Sequence, residues 1–342
     1  MRRGIVIAAM TIGATHAIAA ADLTTVTVGA VPTIPGSPLY IAQEKGYFKD
    51  AGLDLQIKDI ASSSEMGVLL ATGQLHIVTG APSVGLFNSV GRNFPLKIIL
   101  SQAASPYNQS IMVRTGLKDV IKSPADLKGR TVGVNARGSV TVYQLGRVLE
   151  AGGLTIEDID TKYLAFTQMV TALSSQALDA AVMISPTAEL AEMQGFAKRW
   201  VNPDHIIKVQ PTIISVMQIN TEWAKKDPEA AYKFTRAILK ATREYCDAFH
   251  HGPNRPEVIK IISQTTGMKE QLVNEIEWSS RDPYGRVPEA SLEDIQKFFL
   301  SRKDLDKSYS YDQLVDNSYV VRAEREMGPY TPAVDDGKPG CR

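Results

Sequence analysis

From Leu23 to Asn220 the chain repeats one unit: a short β-rich run, a loop of small residues, then a helical pattern. Strands that alternate with helices in this way argue for α/β architecture. "TVTVGA" (25–30) reads as the first strand. "VPTIPGS" leads into a short helix with Ser37 as N-cap and Pro38 at its first position, stopped by Gly46. "DAGLDLQIKDI" turns at Gly52 and alternates Leu53, Leu55 and Ile57 with Asp54, Gln56 and Lys58, the pattern of a half-buried strand. "SSSEMGVLLATG" opens with Ser62 and carries Glu65 three residues on, a capping box. "LHIVTG", "LKIILSQAA", "SIMVR" and "TIISVMQIN" read as further strands, and Pro82 reads as a helix-start proline.

"VGVNARGSVTVYQL" (132–145) is the most suggestive unit. An apolar run reaches a turn at Gly138 and Ser139, and Val142, Leu145 and Leu149 then fall at helical spacing up to Gly152. Small residues at a helix N-terminus leave backbone N–H groups free, and the helix dipole favours negative charge there. The turn therefore suits an anion.

After Asn220 the character changes to long helical stretches, broken at Asp227-Pro228 and resuming around 255–264, 268–279 and 290–300. The segments "LLATGQLHIVTGAPS" (69–83) and "ALSSQALDAAVMISP" (172–186) share one shape: helix, small polar turn, strand, small-residue loop. Two similar open α/β lobes would place their strand-end loops around a shared cleft.

Charge narrows the partners. The 342 residues carry 37 basic and 37 acidic side chains, and no basic block that nucleic acid would need. Arg2 and Arg3 precede a weakly apolar run that ends in Ala17-Ile18-Ala19 and Ala19-Ala20-Ala21, both A-x-A patterns. Residues 1–21 read as a cleaved signal peptide, too short and too rich in Ala and Gly for a membrane span. This implies a mature protein in the periplasm. The two cysteines, Cys246 and Cys341, either pair there and tie down the tail at 331–342, for roughly 4 kcal/mol at most, or remain thiols. Their spacing suits neither zinc nor an iron–sulfur cluster.

Catalytic signatures are scarce. There is no G-x-G-x-x-G, P-loop or H-E-x-x-H. "APSVG" (81–85) has the outline of a nucleophile elbow around Ser83, but Ala stands in its first position. Apart from His16, the histidines are His76, His205, and the pair His250-His251 at a helix end, where cations suit the dipole. No carboxylate pair has a spacing that assigns acid and base roles.

The stretches "GSPLYIAQEKGYFKDAGLDLQI", "LLATGQLHIVTGAPS", "SPADLKGRTVGVNARGSVT" and "LSSQALDAAVMISP" resemble the nitrate/sulfonate/taurine group of ABC-importer substrate-binding proteins, which includes binders of the thiamine pyrimidine precursor. One departure is His76, where that group usually has Asp. The resemblance implies a two-lobed, type II periplasmic-binding-protein fold with a central cleft, closing on solute like a hinged trap. Lobe one would hold 22–106 and 218–330 with the C-terminal helices, and lobe two 108–214, with crossings near 101–113 and 209–217. It implies capture of a small organic anion, a sulfonate or carboxylate, by a monomer that serves a permease and its ATPase without a cofactor or metal.

Strand-end loops supply the candidate contacts: Thr33 and Ser37, Ser62 and Ser63, Pro82 and Ser83, Arg137 to Thr141 (with Gly138, Ser139 and Val140), Phe166 and Gln168, Ser185, and Thr212. Arg137 is the cation of these loops and either clamps the acidic group, the favoured reading, or points to solvent beside the cleft. Ser139 is expected to offer its N–H, and Phe166, Tyr107 and Met169 could flank an apolar ligand body. An enzyme on the same fold, or a solute sensor that docks on a membrane receptor, remain the rival readings. The enzyme of thiamine-pyrimidine synthesis uses a cysteine-rich motif that this chain lacks.

Overall fold

The computed structural model describes residues 23–60, 63–106 and 109–341. Four strands come first: β1 (Thr24–Ala30), β2 (Leu53–Asp59), β3 (Ile77–Gly80) and β4 (Leu96–Ala104). The chain then leaves that sheet and builds a second one from β5 (Gln109–Arg114), β6 (Thr131–Val134), β7 (Asp160–Tyr163), β8 (Ala180–Ile184) and β9 (Ala197–Val201). It returns as β10 (Ile213–Asn220).

The first sheet has the order β2-β1-β3-β10-β4 and the second β7-β6-β8-β5-β9. In each, three parallel strands are followed by one that runs against both of its neighbours. That reversed strand is β10 in the first sheet and β5 in the second, so each sheet is completed by a strand adjoining a crossing. β10 pairs with the first sheet from Ile213 onward. Ile213 and Ile214, counted with the second lobe on sequence grounds, thus belong to the first sheet.

The helices α1 (Ser37–Glu44), α2 (Tyr47–Asp50), α3 (Ser63–Ala71) and α4 (Val84–Gly91) alternate with the first strands. Those labelled α5 (Val140–Ala151), α6 (Phe166–Ser174) and α7 (Thr187–Met193) do so in the second set. Val26 and Val28 of β1 and Val132 and Val134 of β6 are wholly buried, as expected where helices cover a sheet. Ser37 is the first residue of α1 and not its cap. A 3₁₀ turn over Ile34–Gly36 precedes the helix, and the Ser37 hydroxyl donates back to the Ile34 carbonyl at 2.7 Å. The capping box expected at Ser62 lies outside the described residues, as do the signal segment and Tyr107.

The C-terminal part is helical, as its pattern implies: α8 (Thr221–Lys226), α9 (Pro228–Phe249), α10 (Arg255–Thr266), α11 (Glu270–Glu275), α12 (Glu289–Ser301), α13 (Tyr311–Leu314) and α14 (Ser318–Met327). Asp227 caps α9, its carboxylate accepting from the Ala230 amide at 3.0 Å. The helix buries Phe234, Ile238 and Tyr245 against the first sheet's helices, with the Phe48 and Phe234 rings stacked 5.3 Å apart. The α12 helix goes elsewhere. It lies on α5 of the second set, where Phe298 meets Tyr143 edge-on at 5.5 Å. Asp294 accepts from Tyr143 at 2.7 Å and from Arg147 at 2.8 Å. A Cβ at Gly146 would lie 2.3 Å from the Phe298 ring, so α5 accepts α12 at this depth through its missing side chain. The C-terminal helices therefore grip both sheets instead of joining the first alone.

His250 is wholly buried and holds the tail. Its Nδ1 lies 2.6 Å from the Asp336 carboxylate and its Nε2 3.1 Å from the Gly340 carbonyl. Behind it, Cys246 and Cys341 are buried free thiols, and burial together with the neighbouring Cys341 pushes the Cys246 thiol up. Among the described residues no helix is long and apolar enough to cross a membrane.

Candidate functional site

Where the strands of both sheets end, the loops face each other across a cleft. The cavity there has a volume of about 110 Å³. Its first-sheet wall includes Val31, Thr33, Pro35, Met66 and Ala81, and its second-sheet wall Asn135, Val140, Thr141, Phe166 and Ile184. Three strands beside the crossings form its floor, with Gln102 of β4, Gln109 of β5 and Ser215 of β10.

Thr33, Val140, Thr141 and Phe166, all named from the sequence, line this cavity. The others are placed nearby with different tasks. Ser83 caps α4 by accepting from the Leu86 amide at 3.2 Å, and Pro82 is buried just before it. Its hydroxyl is thus committed to a helix end, and nothing marks it as a nucleophile. Gln168 is exposed and accepts from the Ala165 amide at 3.0 Å, which fixes the start of α6. Ser185 is buried and donates to Glu189 at 2.6 Å. Thr212 is buried at the return crossing, where its amide donates to the Ser105 hydroxyl at 2.7 Å. Met169 is wholly buried in the core of the second sheet and does not flank the cavity. Ser63 begins α3, and Ser62 lies outside the described residues.

The turn before α5 is an internally bonded knot. Asn135 Oδ1 accepts from the Ser139 hydroxyl at 2.8 Å and the Thr141 hydroxyl at 2.7 Å. The Ser139 N–H, expected to meet the ligand, donates instead to the Ala136 carbonyl at 3.4 Å. Gly138 has φ +66°, and its carbonyl accepts the Val84 amide at 2.9 Å. That bond links the start of α4 to the turn before α5, across the cleft. Arg137, the expected clamp, is exposed and stacks over the Tyr163 ring at 4.7 Å. It lines a neighbouring cavity of about 320 Å³, together with Ser83, Arg92 and Ser139, that shares Met66, Gly80 and Ala81 with the first.

The residues that loop-by-loop reasoning passes over are Gln102, Gln109 and Ser215. Each sits in a strand, inside an otherwise apolar or small-residue run. A long polar side chain in a strand buried on both faces is the signal that could have found the two glutamines.

The family model described as "NMT1/THI5 like" matches residues 36–248. The chain belongs to the NMT1/THI5-like family. Within it, this NMT1/THI5-like chain is 26% identical over 222 residues to the 4-amino-5-hydroxymethyl-2-methylpyrimidine phosphate synthase THI11 of Saccharomyces cerevisiae, over 62% of this chain and 63% of that one. It thus spans a little under two thirds of the yeast synthase. The nitrate/nitrite binding protein NrtA of Synechocystis is 22% identical over 340 residues, 93% of this chain and 73% of NrtA. The crystal structure of that periplasmic nitrate-binding protein superposes with a TM-score of 0.74 at 17% identity, covering 90% of this chain and 89% of the other. The alkanesulfonate-binding protein SsuA from Xanthomonas axonopodis, bound to MOPS, gives 0.68 at 17% identity, covering 89% and 99%. At these identities the structural likeness establishes the fold: that of periplasmic binding proteins, two mixed sheets with C-terminal helices.

Proposed function

We propose that this NMT1/THI5-like chain is the periplasmic solute-binding component of an ABC importer, two lobes closing on a small solute at the cleft between the sheets. One observation carries the reading. The described residues that line the cavity include no Asp, Glu, Lys, Arg, His or Cys, so it offers hydrogen bonds and apolar contact but no general acid or base. A site so furnished suits holding a guest. The names of NrtA and SsuA as binding proteins, and the reading of residues 1–21 as a signal peptide, support the same reading. An enzyme reading rests on the names of the yeast synthases.

A sulfonate or carboxylate seated in this cavity would not meet Arg137, which lines the neighbouring one. An acidic group in the cleft would have to rely on the N–H groups of Val140 and Thr141, which as the first two residues of α5 have no acceptor within the helix. The lobes are proposed to be the two sheets with their helices, the crossings lying between β4 and β5 and between β9 and β10. The partners are a permease and its ATPase, met by a monomer.

The test couples binding to chemistry. A bound solute should raise the melting temperature, adding about 2.7 kcal/mol at 100 times its Kd. It should also shrink the particle in small-angle scattering, and mass spectrometry should recover it unaltered after long incubation. A solute converted to product would replace the importer reading with an enzymatic one. Protein from the native cell should begin near Ala20 or Asp22.

A further inference from the structure

Two buried glutamines face the cleft with unspent hydrogen bonds. Gln102 is 3% exposed and Gln109 1%. The Gln102 carbonyl Oε1 accepts from the Ser215 hydroxyl at 2.8 Å, which orients the amide and leaves its Nε2 without a partner. In Gln109 neither Oε1 nor Nε2 has a partner among the described residues. Buried polar atoms are rarely left so, because each unpaired one costs the full price of its lost water. Here three belong to two side chains that line the floor of one cavity.

The orientation of Gln102 sorts the guests. Its free Nε2 calls for an acceptor, while Gln109 presents one donor and one acceptor together. A carboxylate or sulfonate carries acceptors alone, so it would leave Gln109 Oε1 unpaired and facing negative charge. Such a guest would also shed its water in a cavity lined by no cation. A carboxamide or lactam carries both a C=O and an N–H on one edge and can satisfy all three atoms. Size adds a second limit: at about 110 Å³ the cavity is smaller than the roughly 150 Å³ that takes benzene, so a one-ring guest already requires the lobes to part slightly and a larger one does not enter. Val31, Pro35, Met66, Phe166 and Ile184 supply apolar walls for a flat body.

We propose that the cleft selects an uncharged, flat solute of about one ring that carries an amide edge, paired to Gln109 and Gln102. This rests on the reading of the cleft as a solute pocket.

Four probes of nearly equal size decide it: benzamide, 2-pyridone, benzoate and benzenesulfonate, each at millimolar concentration in thermal melting and calorimetric titration. The amide probes should bind, and the two anions at least about tenfold more weakly. Gln109→Leu should abolish the amide-induced shift while leaving the unliganded protein as stable as the parent or more so, because two unsatisfied atoms leave the core. A merely structural Gln109 would show the reverse, a loss of stability with binding kept. Should the variant fail to fold, Ser215→Ala supplies the second arm. It frees the Gln102 amide to turn and should weaken the amide probes without helping the anions. An anion binding more tightly than either amide, or no binding by any of the four, overturns the amide selectivity. Anion binding with closure would leave the importer reading standing, whereas conversion of a bound amide would remove the importer reading and keep the selectivity.

Discussion

The amide of Val84 donates to the carbonyl of Gly138 at 2.9 Å, joining the first turn of α4 to the turn before α5. Gly138 makes this approach at φ +66°, and a Cβ placed on it would lie 2.8 Å from the Val84 Cβ. Both the backbone conformation and the contact call for glycine, so the seam between the two sides of the cleft depends on one missing methyl group.

Gly138→Ala should therefore weaken solute binding by opening the cleft. The left-handed conformation costs a non-glycine residue about 1–2 kcal/mol, or roughly 5- to 30-fold in affinity if it is paid on closure. Scattering should show a saturated variant more expanded than the saturated parent. Adding Val84→Gly should recover part of the loss, because it removes the Cβ that the new methyl group would meet. Unchanged affinity in Gly138→Ala would mean that this seam does not take part in closure.

Arg137 should prove dispensable for binding. Its stacking on Tyr163 is an exposed contact of the kind worth about 0.5–1 kcal/mol. Arg137→Ala should lower the melting temperature slightly and change solute affinity by less than about threefold. A tenfold loss in titration calorimetry would put the guanidinium back in the cleft.

His76 should make the protein acid-sensitive. Its ring stacks on Trp223 at 4.5 Å, its Nδ1 accepts the Thr27 amide at 3.2 Å, and burial lowers its pKa from 6.5. The unfolded chain then binds the proton more readily than the folded one. The contribution of His76 is full above 6.5 and is lost as pH falls through the lowered folded value. His251 shifts in the same direction, so the readout is the difference between proteins and not the raw slope. His76→Gln should lose less melting temperature than the parent between neutral pH and about pH 5. Parallel curves would refute this.

Asp294 should matter to stability more than to binding. It accepts from both Tyr143 and Arg147 and so ties α12 to α5, and none of the three lines the cavity. Asp294→Ala leaves a buried phenol unpartnered and should cost about 1–3 kcal/mol in chemical denaturation. The solute Kd should stay within about twofold. A large change in Kd would mean that the helix contact is coupled to the cleft.

The α/β alternation, the strand-end loops and the helical C-terminal part were legible because periodicity and turn residues are local signals. Thr33, Val140, Thr141 and Phe166 followed from the rule that loops at strand ends face the cleft. Arg137 is harder to place from sequence, because a charge next to a site says nothing about which way its side chain leaves the backbone, and here it stacks on Tyr163. The glutamines were hidden because a polar residue in a strand becomes informative only when its burial is known. The grip of α12 on α5 depends on Gly146, and no sequence pattern shows that a glycine inside one helix will meet a phenylalanine about 150 residues away.

The shared plan of the two sheets has a consequence for how the chain is made. During synthesis β1, β2 and β3 emerge early, yet β3 and β4 do not touch each other; the strand between them is β10. Until Asn220 has left the ribosome the first sheet is split, with bare edges on either side of the gap. The second sheet has no such wait, since all five of its strands lie within one uninterrupted stretch, from Gln109 to Val201. The half that begins second in the gene can be finished first, and a chain truncated before residue 213 would hold a complete second sheet beside an open one in need of protection.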